Sequence, residues 1–116
     1  MVCFVKGDTM STDPKKWLEA MRGDVLAQAR IDTQLAAAVF SRAGSRARGE
    51  PAQAWTLAED VSTFVDAVVA DARTADVVPL IASGRSEDDI FEIAVIAAVA
   101  TGTQRALSGL AALEKA

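Results

Sequence analysis

The feature that most constrains the fold is an apolar segment near the carboxyl terminus, residues 90–100, which a single charge interrupts. In the run IFEIAVIAAVA only Glu92 is polar, so apolar side chains would surround nearly the whole circumference of a helix. Such a helix is buried on most sides, either inside the fold or at a subunit contact. Because a membrane span needs about twenty apolar residues, the segment predicts a core helix of a soluble protein that has no membrane partner.

The residues around this segment predict one long helix from residue 87 to residue 113. Gly84 favours the end of the preceding element, and Ser86 is a suitable N-cap with Asp89 three positions on. The acidic triplet 87–89 would stabilise the positive end of the helix dipole. Since adjacent residues of a helix point in different directions, we interpret the triplet as capping and expect no metal site.

Two helices are predicted in the amino-terminal half. Asp13 followed by Pro14 is typical of a helix start, and apolar residues then recur at helical spacing. Gly23 weakens the middle of this helix, where we expect a bend or a break. Asp32 is a second candidate cap for the helix that follows it.

A linker and two more helices complete the prediction. Residues 43–50, AGSRARGE, form the clearest linker, and Pro51 can open a helix that runs to Ala72. Residues 74–83 hold a short helix at most, because Pro79 cannot donate to a preceding carbonyl. The densest basic stretch is expected to lie in a solvated loop and not to bind phosphate; it comprises Arg42, Arg46 and Arg48.

Length and composition place these helices in one small domain. The chain has 116 residues, 51% of them hydrophobic, and a net charge of −4. We expect a flexible leader over residues 1–13 and a single all-α domain over residues 14–116, a bundle of four to six helices. Met1 and Met10 are both candidate translation starts.

Charge and residue counts exclude several classes of function. The net negative charge argues against a nucleic-acid partner. With no His and one Cys, the chain has no imidazole proton shuttle, no Cys-x-x-Cys pair and no internal disulfide. Cys3 lacks a flanking base or a resolving thiol, so it is not expected to be catalytic. No secretory signal is visible, so we expect a cytoplasmic protein. We also expect no cofactor.

Glu92 and Arg105 are the charged residues of the long helix that require partners. A buried Glu92 must be paired or protonated, and Arg105 lies about 20 Å further along the helix at about 1.5 Å per residue. The candidate partners on other elements are Arg30, Arg42, Asp66 and Arg73. One interpretation is a structural salt bridge. The other is an enzyme site in which Glu92 is the general acid or base and Arg105 holds an anionic substrate.

Three polar residues flank Gly102 in the same helix. Thr101, Thr103 and Gln104 are candidate ligand-binding residues that could line a small polar pocket. Alternatively, the threonine hydroxyls bond back to the helix backbone. Gly102 and Gly109 each cost about 1 kcal/mol of helix propensity relative to Ala, which indicates that a neighbouring helix or a ligand passes close by.

The carboxyl-terminal half resembles a known superfamily of helical proteins. Residues 64–84, FVDAVVADARTADVVPLIASG, and the helix after them are similar to the last helices of the carboxymuconolactone decarboxylase and alkylhydroperoxidase D-like superfamily. The points of similarity are Gly84, Ser86 to Asp88, Ile90 to Ile93, Ala97, Ala98, Gly102, Arg105, Leu110 and Leu113. The resemblance implies an all-α, alkylhydroperoxidase D-like fold and a homo-oligomer assembled through helices.

The same resemblance implies a redox or decarboxylase site that this sequence lacks. Peroxidase members carry an acidic residue, to which Glu92 corresponds, followed by Cys-x-x-Cys and His on the last helix. Their thiol and histidine positions fall near Thr103 or Gln104, near Ala106 or Leu107, and near Leu110 or Ala111. None of these is Cys or His, so the thiolate, the resolving thiol and the proton relay are missing.

Two hypotheses about function follow. The first is a non-catalytic member, a helical homo-oligomer that binds a small molecule or a partner protein, or serves as an accessory subunit. The second is an enzyme with a non-thiol site. It requires Glu92 and Arg105, from one chain or from two, to face the same concave pocket.

Overall fold

A computed structural model describes residues 13–50 and 57–115 of the chain. Within these ranges the regular structure is entirely helical, which confirms the predicted all-α class and the long carboxyl-terminal helix. The described elements are α1 (Pro14–Gln28), α2 (Thr33–Ala47), α3 (Glu59–Asp71), a 3₁₀ turn (Ala72–Thr74), α4 (Val78–Ala82) and α5 (Glu87–Lys115).

Local capping sets the predicted helix boundaries. The carboxylates of Asp13 and Asp32 accept hydrogen bonds from backbone amides in the first turns of α1 and α2, at 3.0 and 3.1 Å. Ser86 Oγ accepts a bond from the amide of Asp89 at 3.1 Å at the start of α5. Gly84 adopts the left-handed conformation, with φ of 88°, and ends α4.

The predicted linker at residues 43–50 is wrong over most of its length. α2 continues to Ala47, and the chain leaves it at Gly49, whose φ is 80°. Ala43, Gly44 and Ser45 are buried. The small residues that suggested a linker instead let α2 pack closely against its neighbours.

Two other boundaries also differ from the prediction. α1 runs through Gly23 without a break, because the penalty of about 1 kcal/mol for one exposed glycine is small beside the N-cap and the backbone hydrogen bonds of a 15-residue helix. α3 begins at Glu59. The start that was predicted for this helix, Pro51, lies outside the described residues.

α2, α3 and α5 form the centre of the core, with α5 packed most extensively against α2. Each buried side chain removes apolar surface from water, which is the main stabilising contribution here. The buried core residues on these helices, with one from α4, are Ala36, Val39, Phe40, Ala43, Val61, Phe64, Val65, Val69, Leu80, Ile90, Ile93, Ile96, Ala97 and Ala100.

Burial of α5 is confirmed for one face only. Ile93, Ile96 and Ala97 point into the core, whereas Phe91 is 69% exposed and Val95 is 38% exposed on the opposite side. By length and composition α5 is also the one described helix that could cross a membrane, and a third of its most hydrophobic window is buried. A core helix of a soluble protein meets the same criterion.

Ion pairs connect α3 to α2 and to the segment just before α5. Arg42 donates from Nε and Nη2 to the Asp66 carboxylate at 2.8 and 2.6 Å, and Arg46 lies 3.6 Å from the same carboxylate. Arg42 and Arg46 are therefore helical and paired, which contradicts the predicted solvated loop, whereas Arg48 lies exposed in the turn after α2. Arg85, just before α5, donates to Asp60 of α3 at 3.0 Å, and this hydrogen bond lowers the pKa of the Asp60 carboxyl.

Candidate functional site

The candidate ligand site is a pocket between α1, α2 and α5, which we call the central pocket. Its volume of about 360 Å³ is within the range of small-molecule sites. Its lining combines apolar side chains with charged and hydroxyl groups. The lining residues are Leu18, Glu19, Arg22, Phe40, Ser41, Gly44, Ser45, Arg48, Ala100, Thr103, Gln104 and Leu107.

Two of the three predicted ligand-binding residues, Thr103 and Gln104, line this pocket. The Thr103 hydroxyl is buried and has no hydrogen-bond partner among the described residues. A buried hydroxyl without a partner costs about 1–3 kcal/mol, a penalty that a polar ligand would remove. Thr101 does not line the pocket, because its hydroxyl donates to the Ala97 carbonyl at 2.7 Å within α5.

Arg48 is held at the rim of the pocket by four hydrogen bonds. It donates from Nε and Nη2 to the Glu50 carboxylate at 2.9 and 3.1 Å, from Nη2 to Ser45 Oγ at 3.1 Å, and from Nη1 to Gln104 Oε1 at 2.9 Å. The bonds from Arg48 lower the pKa of the Glu50 carboxyl. The network fixes the Gln104 amide in the pocket and compensates most of the charge of Arg48.

Arg22 supplies the uncompensated positive charge. Its guanidinium carbon lies 5.2 Å from the centroid of the Phe40 ring, a cation–π geometry. Among the described residues, no carboxylate lies within ion-pair distance of this guanidinium. The pocket therefore presents a stacked guanidinium beside an aromatic ring and a buried hydroxyl, with the Glu19 carboxylate also in its lining.

Glu92 lies outside the central pocket and bonds to backbone. Its Oε1 accepts hydrogen bonds from the amides of Arg30 at 2.6 Å and Ile31 at 3.2 Å, in the turn between α1 and α2. Arg30 is one of the predicted partners of Glu92, but the contact is made by its backbone amide and not by its guanidinium. Such paired bonds to one carboxylate oxygen hold the α1–α2 turn against α5.

Arg105 is directed to a different part of the molecule. Its Nη2 donates to the Val69 carbonyl at 2.9 Å, near the end of α3, where helix carbonyls lack partners. Glu92 borders a separate outer pocket of about 390 Å³, which Arg105 does not line. Within one chain the two residues are thus not brought together, and a shared site requires a second chain.

The residues of the site that sequence reasoning missed are Arg22, Phe40 and Arg48. Neither Arg22 nor Phe40 was singled out in the sequence, and Arg48 was assigned to a loop. Arg22 and Phe40 lie on different helices, so no spacing along the sequence indicates their contact. An arginine directly after a helix with an acidic residue two positions on, as in Arg48 and Glu50, was the one available signal.

No protein-family model, curated protein or solved structure matches this chain. Among residues 13–50 and 57–115, no three acidic, cysteine or histidine side chains are grouped as metal ligands. The central pocket and the exposed surface of α5 are the features of the molecule that bear on its function.

Proposed function

We propose that the chain is a non-catalytic helical homo-oligomer of the cytoplasm, similar to the carboxymuconolactone decarboxylase and alkylhydroperoxidase D-like superfamily, that binds a small organic anion in the central pocket. The observation that carries the ligand assignment is the juxtaposition of a free guanidinium, Arg22, with the unpartnered Thr103 hydroxyl in one cavity.

The mixed lining of the pocket suits a ligand with one apolar end and one anionic end. An apolar ring or short chain would pack on Leu18, Phe40 and Leu107. A carboxylate or similar anion would accept hydrogen bonds from Arg22, since guanidinium groups match carboxylate geometry. The Thr103 hydroxyl would donate to the same ligand, which compensates its burial.

The chemistry of the chain supports binding without turnover. The sequence contains no His and one Cys, so the thiol pair and imidazole of the peroxidase mechanism have no counterparts. Glu92 uses one carboxylate oxygen for two backbone amides, which favours a structural role over proton transfer. The alternative enzyme with Glu92 and Arg105 depends on a second chain to complete it.

The exposed face of α5 supports a homo-oligomer. Phe91 and Val95 are large apolar residues that remain in water in the single chain, and contiguous exposed apolar surface marks interaction sites. The opposite face packs on α2 and α3, as expected for a helix of a soluble protein. A membrane location is the competing explanation for the exposed face.

Binding can be tested by titrating ¹⁵N-labelled protein with benzoate and, as the neutral control, benzyl alcohol. Benzoate should shift the amide signals of pocket residues such as Phe40, Gly44 and Thr103, and benzyl alcohol should shift them much less. Arg22→Gln should weaken benzoate binding by about tenfold, because a hydrogen bond to a charged group is worth about 1.5–3 kcal/mol.

Matched variants separate the site from general charge effects. Thr103→Val removes the hydroxyl at similar size and should also weaken benzoate binding. Arg73→Gln removes an exposed arginine of the 3₁₀ turn, outside the central pocket, and should leave binding unchanged. Equal shifts with benzoate and benzyl alcohol, or equal losses in Arg22→Gln and Arg73→Gln, would contradict the ligand assignment.

A further inference from the structure

The exposed face of α5 carries apolar and small residues that its core packing does not use. Like any one face of a helix, it consists of residues separated alternately by three and four positions, and a second helix can pack along such a face in a left-handed crossing. We call these residues the outer strip; they are Asp88, Phe91, Val95, Ala98, Gly102, Arg105 and Gly109.

The glycines of the outer strip have no packing reason within the chain. A Cβ atom placed on Gly102 or Gly109 would meet no other atom within 4 Å. Each glycine nevertheless costs about 1 kcal/mol relative to Ala in a helix. Close approach of another helix from outside would account for small residues at these positions.

We propose that a second copy of this chain covers the outer strip in an antiparallel register, with the two-fold axis crossing α5 between residues 96 and 97. This inference rests on the homo-oligomer of the proposed function and names its surface. In this register, residues equidistant from the axis face each other. Asp88 lies opposite Arg105, Phe91 opposite Gly102, and Val95 opposite Ala98.

The strip is complementary to itself in size. The large residues, Phe91 and Val95, lie before the axis, and each meets a small residue, Gly102 or Ala98, after it. An apolar groove of about 330 Å³ lies beside Val95 and Ala98, walled by α3 and the segment before α4, and gives the incoming Val95 side chain a place to pack. A two-fold interface requires this kind of self-complementarity.

The strip is also complementary to itself in charge. Asp88 is an exposed carboxylate with no hydrogen bond or ion pair to another described residue, and Arg105 uses one N–H of its guanidinium on the Val69 carbonyl. The remaining donors of Arg105 are available to Asp88 of the second copy. A parallel pairing would instead place Asp88 against Asp88 and Arg105 against Arg105, which is repulsive.

Sedimentation equilibrium of charge variants tests the register. Asp88→Arg and Arg105→Glu should each raise the dimer dissociation constant at least tenfold, because like charges then face each other. The double variant D88R/R105E restores opposite charges and should dimerise within about threefold of wild type. An equimolar mixture of the two single variants should also recover the dimer.

The double variant also lacks the hydrogen bond from Arg105 to the Val69 carbonyl. If it dimerises, the loss of that bond is not the reason that Arg105→Glu alone fails to dimerise. Asp89→Arg makes the same charge change one residue away, off the strip, and should dimerise like wild type. Trp17→Ala alters a different exposed apolar groove, between α1 and the end of α5, and should also have no effect.

The outcomes separate the register from the homo-oligomer. A wild-type dimer that Asp88→Arg and Arg105→Glu leave intact would overturn the register and keep the homo-oligomer. Dissociation by Trp17→Ala alone would move the interface to the α1 groove. Wild-type protein that stays at 12.2 kDa at high micromolar concentration would overturn both the register and the homo-oligomer. The ligand site would still be decided separately, by the benzoate titration.

Discussion

Truncation of Glu92 tests whether this residue is structural. In Glu92→Ala the amides of Arg30 and Ile31 lose their acceptor. Arg30 is exposed, so water can satisfy its amide, but Ile31 is only 8% exposed and its amide is poorly reached by water. Hydrogen bonds to charged groups contribute about 1.5–3 kcal/mol, so we expect the variant to lose about 2–3 kcal/mol of unfolding free energy.

Glu92→Gln separates the hydrogen bonds from the charge. The amide oxygen of Gln can accept from the same two backbone groups, so about 1 kcal/mol should be lost. For a domain of this size each kcal/mol lowers Tm by about 4 °C. Thermal denaturation followed by circular dichroism should show Tm lowered by about 8–12 °C in Glu92→Ala and about 4 °C in Glu92→Gln.

Glu19→Ala, an exposed carboxylate in α1, is the control and should shift Tm by less than about 2 °C. A Glu92→Ala protein with wild-type Tm would refute the structural role of this carboxylate. That result would favour Glu92 as a residue kept for chemistry, since functional groups are commonly dispensable for stability.

Three further outcomes are expected. A hydroperoxide-reduction assay with a thiol donor should show no turnover above buffer for wild type or Cys3→Ser; turnover that survives Cys3→Ser would reveal a non-thiol site. Arg85 lowers the pKa of Asp60, so the stabilisation from this pair is present above the ordinary carboxyl pKa of about 3.9 and is lost as pH falls below it. In Asp60→Asn this loss does not occur, so the acid side of a curve of Tm against pH should be shallower than in wild type. Asp66→Asn should lower unfolding free energy by about 2 kcal/mol in urea denaturation, because it weakens the charge-assisted bonds from Arg42, and an unchanged midpoint would contradict this.

The parts of the fold that follow from local chemistry could be predicted from the sequence. Asp13, Asp32 and Ser86 cap helices where their side chains reach the next turn, which is a property of a few adjacent residues. The apolar run at residues 90–100 likewise identifies α5. The linker prediction failed at residues 43–47 because small residues suit both loops and close helix packing.

The candidate site could be predicted only in part, since its contacts join distant residues. Thr103 and Gln104 were found because two polar residues in an apolar helix need an explanation. The stacking of Arg22 on Phe40 depends on how α1 crosses α2, which no local pattern specifies. The partner of Glu92 was sought among side chains, whereas a backbone amide carries no signal of its own in the sequence.

The most direct measurement of the central claim, that a second copy covers the outer strip of α5, is a distance between two identical spin labels. A label at Ser108→Cys in a Cys3→Ser background lies about 17 Å beyond the proposed axis in each chain, at about 1.5 Å per residue. With helix axes about 10 Å apart, pulsed electron paramagnetic resonance should give a distance of about 35 Å. A distance below about 20 Å, as a parallel pair would give, or no dipolar coupling at all would contradict the claim.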